Sequence, residues 1–516
     1  MFSKASTGFW VLVATILGSC MSYIDSTVIY IALPVLQNDL NATVVQAQWI
    51  VEAYVLFQAA LILVGGSLGD RIGRRRVFAA GIVVFALASA LCGFATSPNF
   101  LIVARILQAL GGAMLGPASL AIITAFFDEK RRPAAFGAWS GASAIALALG
   151  PAAGAFIVQN ASWRWLFFIN IPIAALTLLV LFWKVPESKN EEAASRLDWR
   201  GAALATLGLG SFVFGFIESA NYGFQSPIVW GSIIFGMITF GLFLQTQRTT
   251  KEPLLPLSLF RSSTFSGANL FTLLLYGAMN ALIFFLPFNL IQIQQYDIVQ
   301  AALGFLPFPL IIGFASGFSG RLIARYGVKR PLIAGPIIVA VGFILFGRAG
   351  LGASFWLDFL PAVIVMAIGL SIIIAPLTTA VMGSVPPRLS GTASGINTAI
   401  NSTANVLAVA VLGVVALSVF NISVDRQLHD VDLPPQSIEQ IETETVKLAN
   451  AQAPKDLPPT QQDQVNRVFD LAFIDAFRVL MYVCALLVLM GAAVSWFMIS
   501  GSPPTEVSTG ARLGVP

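Results

Sequence analysis

Three ionisable residues sit where a chain rarely places them. Asp25 lies in "YIDSTVIYIALP" (Tyr23–Pro34), inside a long apolar run, and Glu52 and Arg105 lie inside two others. An ionised side chain in hydrocarbon costs about 2.5–3.5 kcal/mol even on lenient insertion scales, so such a residue faces a partner or a water-filled cavity. An acid near an arginine suits proton handling. The cation favours the ionised carboxylate, while desolvation favours the neutral one. A change of surroundings can therefore load or release a proton.

The elements that must hold these residues are membrane helices. Of the 516 residues 57% are hydrophobic and only 10% charged, against roughly 25% charged in soluble proteins. About 20 apolar residues cross the ~30 Å hydrocarbon layer. Fourteen runs qualify, near 9–33, 46–68, 77–96, 100–124, 135–158, 164–184, 201–219, 228–246, 265–291, 300–323, 330–348, 355–380, 394–420 and 472–499. No segment shows the short alternating pattern of a membrane barrel. The expected fold class is an all-α polytopic membrane protein.

Basic residues cluster in the turns after even-numbered spans. They are Arg71, Arg74, Arg75 and Arg76; Lys130, Arg131 and Arg132; Lys184, Lys189, Arg196 and Arg200; Arg248, Lys251 and Arg261; Arg321, Arg325, Lys329 and Arg330. The short turns after odd-numbered spans hold only Arg164 and Arg348, and the four basic residues of the long connection 421–471 do not count against this, because long segments translocate largely regardless of charge. The positive-inside rule then puts both termini in the cytoplasm. In that frame Asp25 lies about sixteen residues into span 1, ~24 Å along it. Arg105 and Glu52 lie near the outer ends of spans 4 and 2, at a similar depth.

Other chemistries find no support. Cys20, Cys92 and Cys484 lie far apart in apolar runs and are expected as free thiols. His429 falls in a polar segment. No GxxxxGK[ST] phosphate loop, catalytic triad or metal constellation is present, so no enzyme, cofactor or metal is expected. No basic stretch is interleaved with aromatics as nucleic-acid binding would need.

The chain repeats itself. "GSLGDRIGRRR" (Gly66–Arg76) aligns with "GRLIARYGVKR" (Gly320–Arg330), after spans 2 and 10. Duplicated halves are common in transporters. Two six-helix halves then leave spans 7 and 8 as an inserted hairpin. The expected domains are 1–190, a first six-helix bundle; 191–260, the hairpin with its linkers; 261–500, a second bundle carrying the outer segment 421–471; and 501–516, a cytoplasmic tail.

These stretches, with "LIVARILQALGG" (Leu101–Gly112), "GASAIALALGPAAGA" (Gly141–Ala155) and "SWRWLFFINIP" (Ser162–Pro172), resemble the major facilitator superfamily, specifically its fourteen-helix drug/proton antiporters (EmrB/QacA-like). The resemblance covers about residues 9–500. It implies a major facilitator fold, two six-helix bundles plus an inserted two-helix hairpin. It also implies an inner-gate latch at Gly66, Gly69, Asp70, Arg71, Gly73, Arg74 and Arg75. It implies an antiporter motif at Gly141, Gly150, Pro151 and Gly154, and proton coupling at Asp25 and Arg105. Glu52 is no part of the family pattern and enters on depth alone. Tyr54, Gln58, Gln108, Asn280, Asn289, Asn397 and Asn401 are candidates for the substrate cavity. Asn397, Asn401 and Asn405 form one stripe on span 13. Family members often carry a basic residue near here, where this chain has Ile400 and Asn401.

The functional expectation is a proton-coupled exporter of amphipathic small molecules, in particular multidrug efflux by alternating access. The alternatives are export of a specific metabolite, siderophore or lipid, proton-linked uptake, and a sensor or enzyme that borrows the fold. Expected partners are the lipid bilayer, small-molecule substrates and protons. The segment 421–471 is expected to cover the cavity mouth or dock a periplasmic adaptor. The chain is expected to act as a monomer in a bacterial plasma (inner) membrane.

Overall fold

The computed structural model describes residues 4–128, 131–188, 198–250, 253–385, 390–429 and 433–500. Apolar runs this long satisfy their backbone internally, as hydrocarbon requires. The described elements are helical: α1 (Lys4–Asp39), α2 (Val44–Ile72), α3 (Arg74–Gly93), α4 (Pro98–Phe126), α5 (Arg132–Asn160) and α6 (Trp165–Lys184). Next come α7 (Trp199–Tyr222), α8 (Pro227–Thr249) and α9 (Ser263–Ile293). Helix α10 runs Ile298–Phe305 and resumes as Pro307–Tyr326, because Pro307 removes a ladder donor. Helices α11 (Pro331–Phe346), α12 (Phe355–Gly383), α13 (Ser390–Leu428), α14 (Pro435–Glu444) and α15 (Pro459–Met498) complete the chain.

Thirteen of these stretches are long and apolar enough to cross a bilayer. The expected span 330–348 is α11, a shorter apolar helix of 16 residues. Local signals start the helices. Thr43 and Gln46 form a capping box on α2, while Ser97 and Pro98 open α4. Asp198 caps α7 and also accepts from Gln247 Nε2 of α8 at 2.7 Å, tying the hairpin shut.

The two halves pack alike. In the first, α2 and α3 lie on α4, and α1 lies on α5 and α6. In the second, α10 and α11 lie on α12, and α9 lies on α13 and α15. The α7–α8 pair sits outside this plan, with α7 against α2 and α13. Two six-helix bundles with an inserted hairpin are therefore present.

The outer segment 421–471 is largely helical where it is described. Helix α13 runs on to Leu428 and α15 begins at Pro459, with α14 and a short 3₁₀ turn (Thr445–Asn450) between them. Hydropathy marks only where a helix meets lipid. A helix of 40 residues such as α15 is ~60 Å long and projects beyond the layer.

The face bearing this segment is called the loop face here, and the opposite one, with Arg74–Arg76 and Lys329, the basic face. The halves are closed at the loop face. Gln48 Nε2 donates to Val409 O (3.2 Å), Asn405 Nδ2 to Tyr30 Oη (3.3 Å), Gln292 Nε2 to Pro34 O (3.3 Å) and Gln37 Nε2 to Lys447 O (3.0 Å). Ile298–Phe305 of α10 packs on α5, whereas Pro307–Tyr326 packs on α12 and makes no extensive contact with the first bundle. Among the described residues the hydrogen bonds between the halves gather at the loop face.

Candidate functional site

Asp25 projects from the middle of α1 toward α4. Arg105 Nη1 donates to Asp25 Oδ2 at 2.5 Å and to Gln108 Oε1 at 2.7 Å. Gln108 Nε2 donates to Asp25 Oδ1 at 2.9 Å. Arg105 and Gln108 lie one turn apart on α4, so one helix face brings a cation and an amide to one carboxylate. Arg105 Nε donates to Ile50 O (3.2 Å), and the guanidinium lies 4.3 Å from the Tyr54 ring centre. Both carboxylate oxygens are satisfied and the opposite charge is adjacent, the arrangement that makes buried ions tolerable. Asp25 is 2% exposed and Arg105 1%. The pair therefore lies within the first bundle rather than around an open cavity.

A polar cluster adjoins the pair. Ser22 Oγ and Tyr54 Oη lie 2.8 Å apart, and Gln58 Nε2 donates to both (3.1 and 3.0 Å). Gly112 makes the room: a Cβ there would stand 2.7 Å from Tyr54 Oη and 2.9 Å from Gln58 Nε2. Gln58 is half-buried, so this cluster links the buried pair to a more accessible level of the bundle.

Helix α5 fixes α1 beside Asp25. A Cβ on Gly150 would lie 2.5 Å from Thr27 Oγ1, and one on Gly154 would lie 1.7 Å from Val28 Cγ2. Pro151 stands between them inside the helix. Gly141, nearer the basic face, would meet nothing within 4 Å. Gly154→Ala is thus expected to lower thermal stability, by about 1–3 kcal/mol as overpacking does, and to depress transport. Gly141→Ala should leave the melting temperature unchanged. Differential scanning fluorimetry of the two purified variants checks this, and equal melting temperatures would contradict it.

At the basic face the turn between α2 and α3 needs Gly73, whose φ is +122°. Glu187, just past α6, receives Arg75 N at 3.0 Å and Arg76 N at 3.2 Å. Its carboxylate supplies the cap that α3 lacks and faces the positive end of the helix. Arg74 N donates to Ser188 O and Arg74 Nη1 to Ala121 O of α4. Gly69 packs loosely, 4.0 Å from Arg74. The side-chain positions of Gly66, Asp70 and Arg71 lie outside the described residues. No motif pointed to Glu187; an acid directly after a span end was its only signal.

The remaining candidates separate. Tyr54 and Gln108 are fully buried against the Asp25–Arg105 pair. Asn289 is buried in the π-helical turn that ends α9 and accepts from Gln294. Asn397 Nδ2 donates to Asn269 Oδ1 (3.1 Å) and Thr272 Oγ1 (2.8 Å), joining α13 to α9. Asn280 and Asn401 are half-buried. The asparagine stripe divides, because Asn405 turns to Tyr30 of α1. Glu52 is fully buried, and neither carboxylate oxygen has a hydrogen-bond partner among the described residues.

The sequence model of the Major Facilitator Superfamily matches residues 15–409. The chain belongs to this superfamily. It is a multi-pass membrane transporter, not an enzyme. Among similar proteins is the tetracenomycin C resistance and export protein of Streptomyces glaucescens, 28% identical, with 97% of this chain and 95% of that protein covered. The puromycin resistance protein of Streptomyces alboniger is 32% identical over 79% of this transporter and 82% of its own length. Of solved structures, an inward-facing bacterial homologue of the lysosomal transporter Spinster aligns with TM-score 0.68 at 16% identity, covering 94% of this chain and 96% of that one. The xylose transporter XylE of E. coli aligns at 0.57 and 13% identity, covering 96% and 97%. At such identities the structures share the fold.

Proposed function

We propose that this transporter is a proton-coupled exporter of amphipathic small molecules in a bacterial plasma membrane, with the basic face in the cytoplasm. The observation that carries the reading is the buried Asp25–Arg105–Gln108 site against the α1–α5 contact. A carboxylate balanced by an arginine in a dry site changes its proton affinity sharply when either is rehydrated. Rocking of the two bundles opens and closes water access to the first bundle's polar core and supplies that change. The proton is taken up with the loop face open and released with the basic face open. The resistance and export names of the relatives support outward movement of drugs. The positive-inside rule supports the orientation. The turn Thr445–Asn450 reaches α1 and α2 across the halves, which favours a covering role for the outer segment over adaptor docking.

The test is reconstitution in liposomes with a pH-sensitive dye inside. Lipophilic cations, anions and neutral compounds are added in turn. Some are expected to drive proton movement through the parent protein and none through Asp25→Asn. Substrate flux that never moves protons would refute antiport. Uptake instead of export would show as a fall in cellular accumulation when the proton gradient is collapsed.

A further inference from the structure

Glu52 shares Asp25's burial but none of its partners. It has no cation beside it and no donor on either oxygen among the described residues, and its exposure is zero. An ionised carboxylate so placed would carry its full desolvation cost, several kcal/mol even after relaxation. Only with a proton bound is the carboxyl free of that cost.

Its position explains what the proton can do. Gln48 lies one turn toward the loop face on the same side of α2 and donates to Val409 O of α13. Its amide fills the space a Cβ on Gly413 would take, 1.8 Å from Nε2. Helices α2 and α13 run antiparallel, so one turn inward Glu52 comes opposite Asn405. Asn405 Nδ2 donates to Tyr30 Oη, and its Oδ1 is buried with no partner. Tyr30 is itself buried on α1. By that register the two Glu52 oxygens and Asn405 Oδ1, each without a partner among the described residues, belong to the junction of α1, α2 and α13. A protonated Glu52 supplies the one donor they lack.

We infer that Glu52, Tyr30 and Asn405 form a second proton-binding site, assembled from both halves, that locks the loop face shut. With the loop face open, the site is split and hydrated, and Glu52 ionises. Closure requires the carboxyl to take one proton from the outer water and bury it. The ionised, unloaded transporter then cannot close, which suppresses an uncoupled return. The other titratable groups near Glu52 are accounted for. Arg105 of α4 is engaged by Asp25, and the Cys92 thiol of α3 donates to Gln108. Glu218 of α7 accepts from Trp49. Lys447 of the 3₁₀ turn is paired with Glu444.

This inference rests on the proton-coupled reading, and its test keeps the two apart. Spin labels are placed at Thr96→Cys and Leu351→Cys, exposed on loop-face turns of the two halves. Cys20, Cys92 and Cys484 are replaced by serine. Distances are measured in proteoliposomes across pH by pulsed electron resonance. In the parent, the ratio of closed to open forms is expected to fall as pH rises, by up to about tenfold per pH unit for one linked proton. Glu52→Gln, permanently neutral, should remain closed at every pH. Asp25→Asn should keep the pH dependence, and Tyr30→Phe should open part of the population even in acid. A parent indifferent to pH, a Glu52→Gln that follows the parent, or a loss of pH dependence in Asp25→Asn alone would overturn the lock. Failure of the exporter reading registers separately, as absent proton-linked flux in the parent.

Discussion

Asp25→Asn is expected to reduce active efflux to the passive background while substrate still binds. Asparagine has nearly the shape of aspartate and keeps one oxygen to accept from Arg105, while its amide nitrogen takes the place of the oxygen that Gln108 faced, at the cost of that hydrogen bond. What disappears is the group that gains and loses a proton. Substrate would then equilibrate without being concentrated. Binding of a fluorescent substrate to purified protein and efflux from cells at matched expression separate the two effects. Full efflux in the variant would remove Asp25 from the mechanism.

Arg105→Ala is expected to be the most destabilising single change in the first bundle. It leaves Asp25 buried with only Gln108 Nε2 as donor and strips Ile50 O and the Tyr54 ring of their partner. Removing one member of a buried pair costs about 3–5 kcal/mol, chiefly through the uncompensated charge left behind. The double variant Arg105→Ala/Asp25→Asn should recover part of that loss, because neither charge then remains. Thermal unfolding of the three variants in one detergent checks this. Strict additivity would mean that the two residues stabilise the bundle independently. Arg105→Lys should not rescue transport, since a single ammonium cannot reproduce the guanidinium's separate bonds from Nη1 and Nε.

Much of the architecture was legible because membrane helices declare themselves by apolar length and by where lysine and arginine fall. The duplicated "GSLGDRIGRRR" and "GRLIARYGVKR" also announced the repeat now seen as matched helix packing. Other features had no such signal. Helix continues beyond lipid, so hydropathy could not show that α13 and α15 extend past the loop-face end of their apolar runs. A depth estimate put Asp25, Glu52 and Arg105 at one level but could not say which way each faces around its helix. That rotation pairs Asp25 with Arg105 and leaves Glu52 apart. It also takes Gln108 into the ion pair, whereas polarity alone suggested a cavity residue. Glu187 acts on α3 from more than a hundred positions away, a contact that local spacing does not encode.

Infrared difference spectroscopy of the reconstituted protein, with and without a transported substrate, reads the carboxyl groups themselves. A carboxyl band that changes intensity on substrate addition, and that is missing from Asp25→Asn but present in Glu52→Gln, is the result expected if Asp25 exchanges its proton during turnover. A spectrum in which substrate changes no carboxyl band, or changes it identically in the parent and in Asp25→Asn, would contradict proton exchange at that residue.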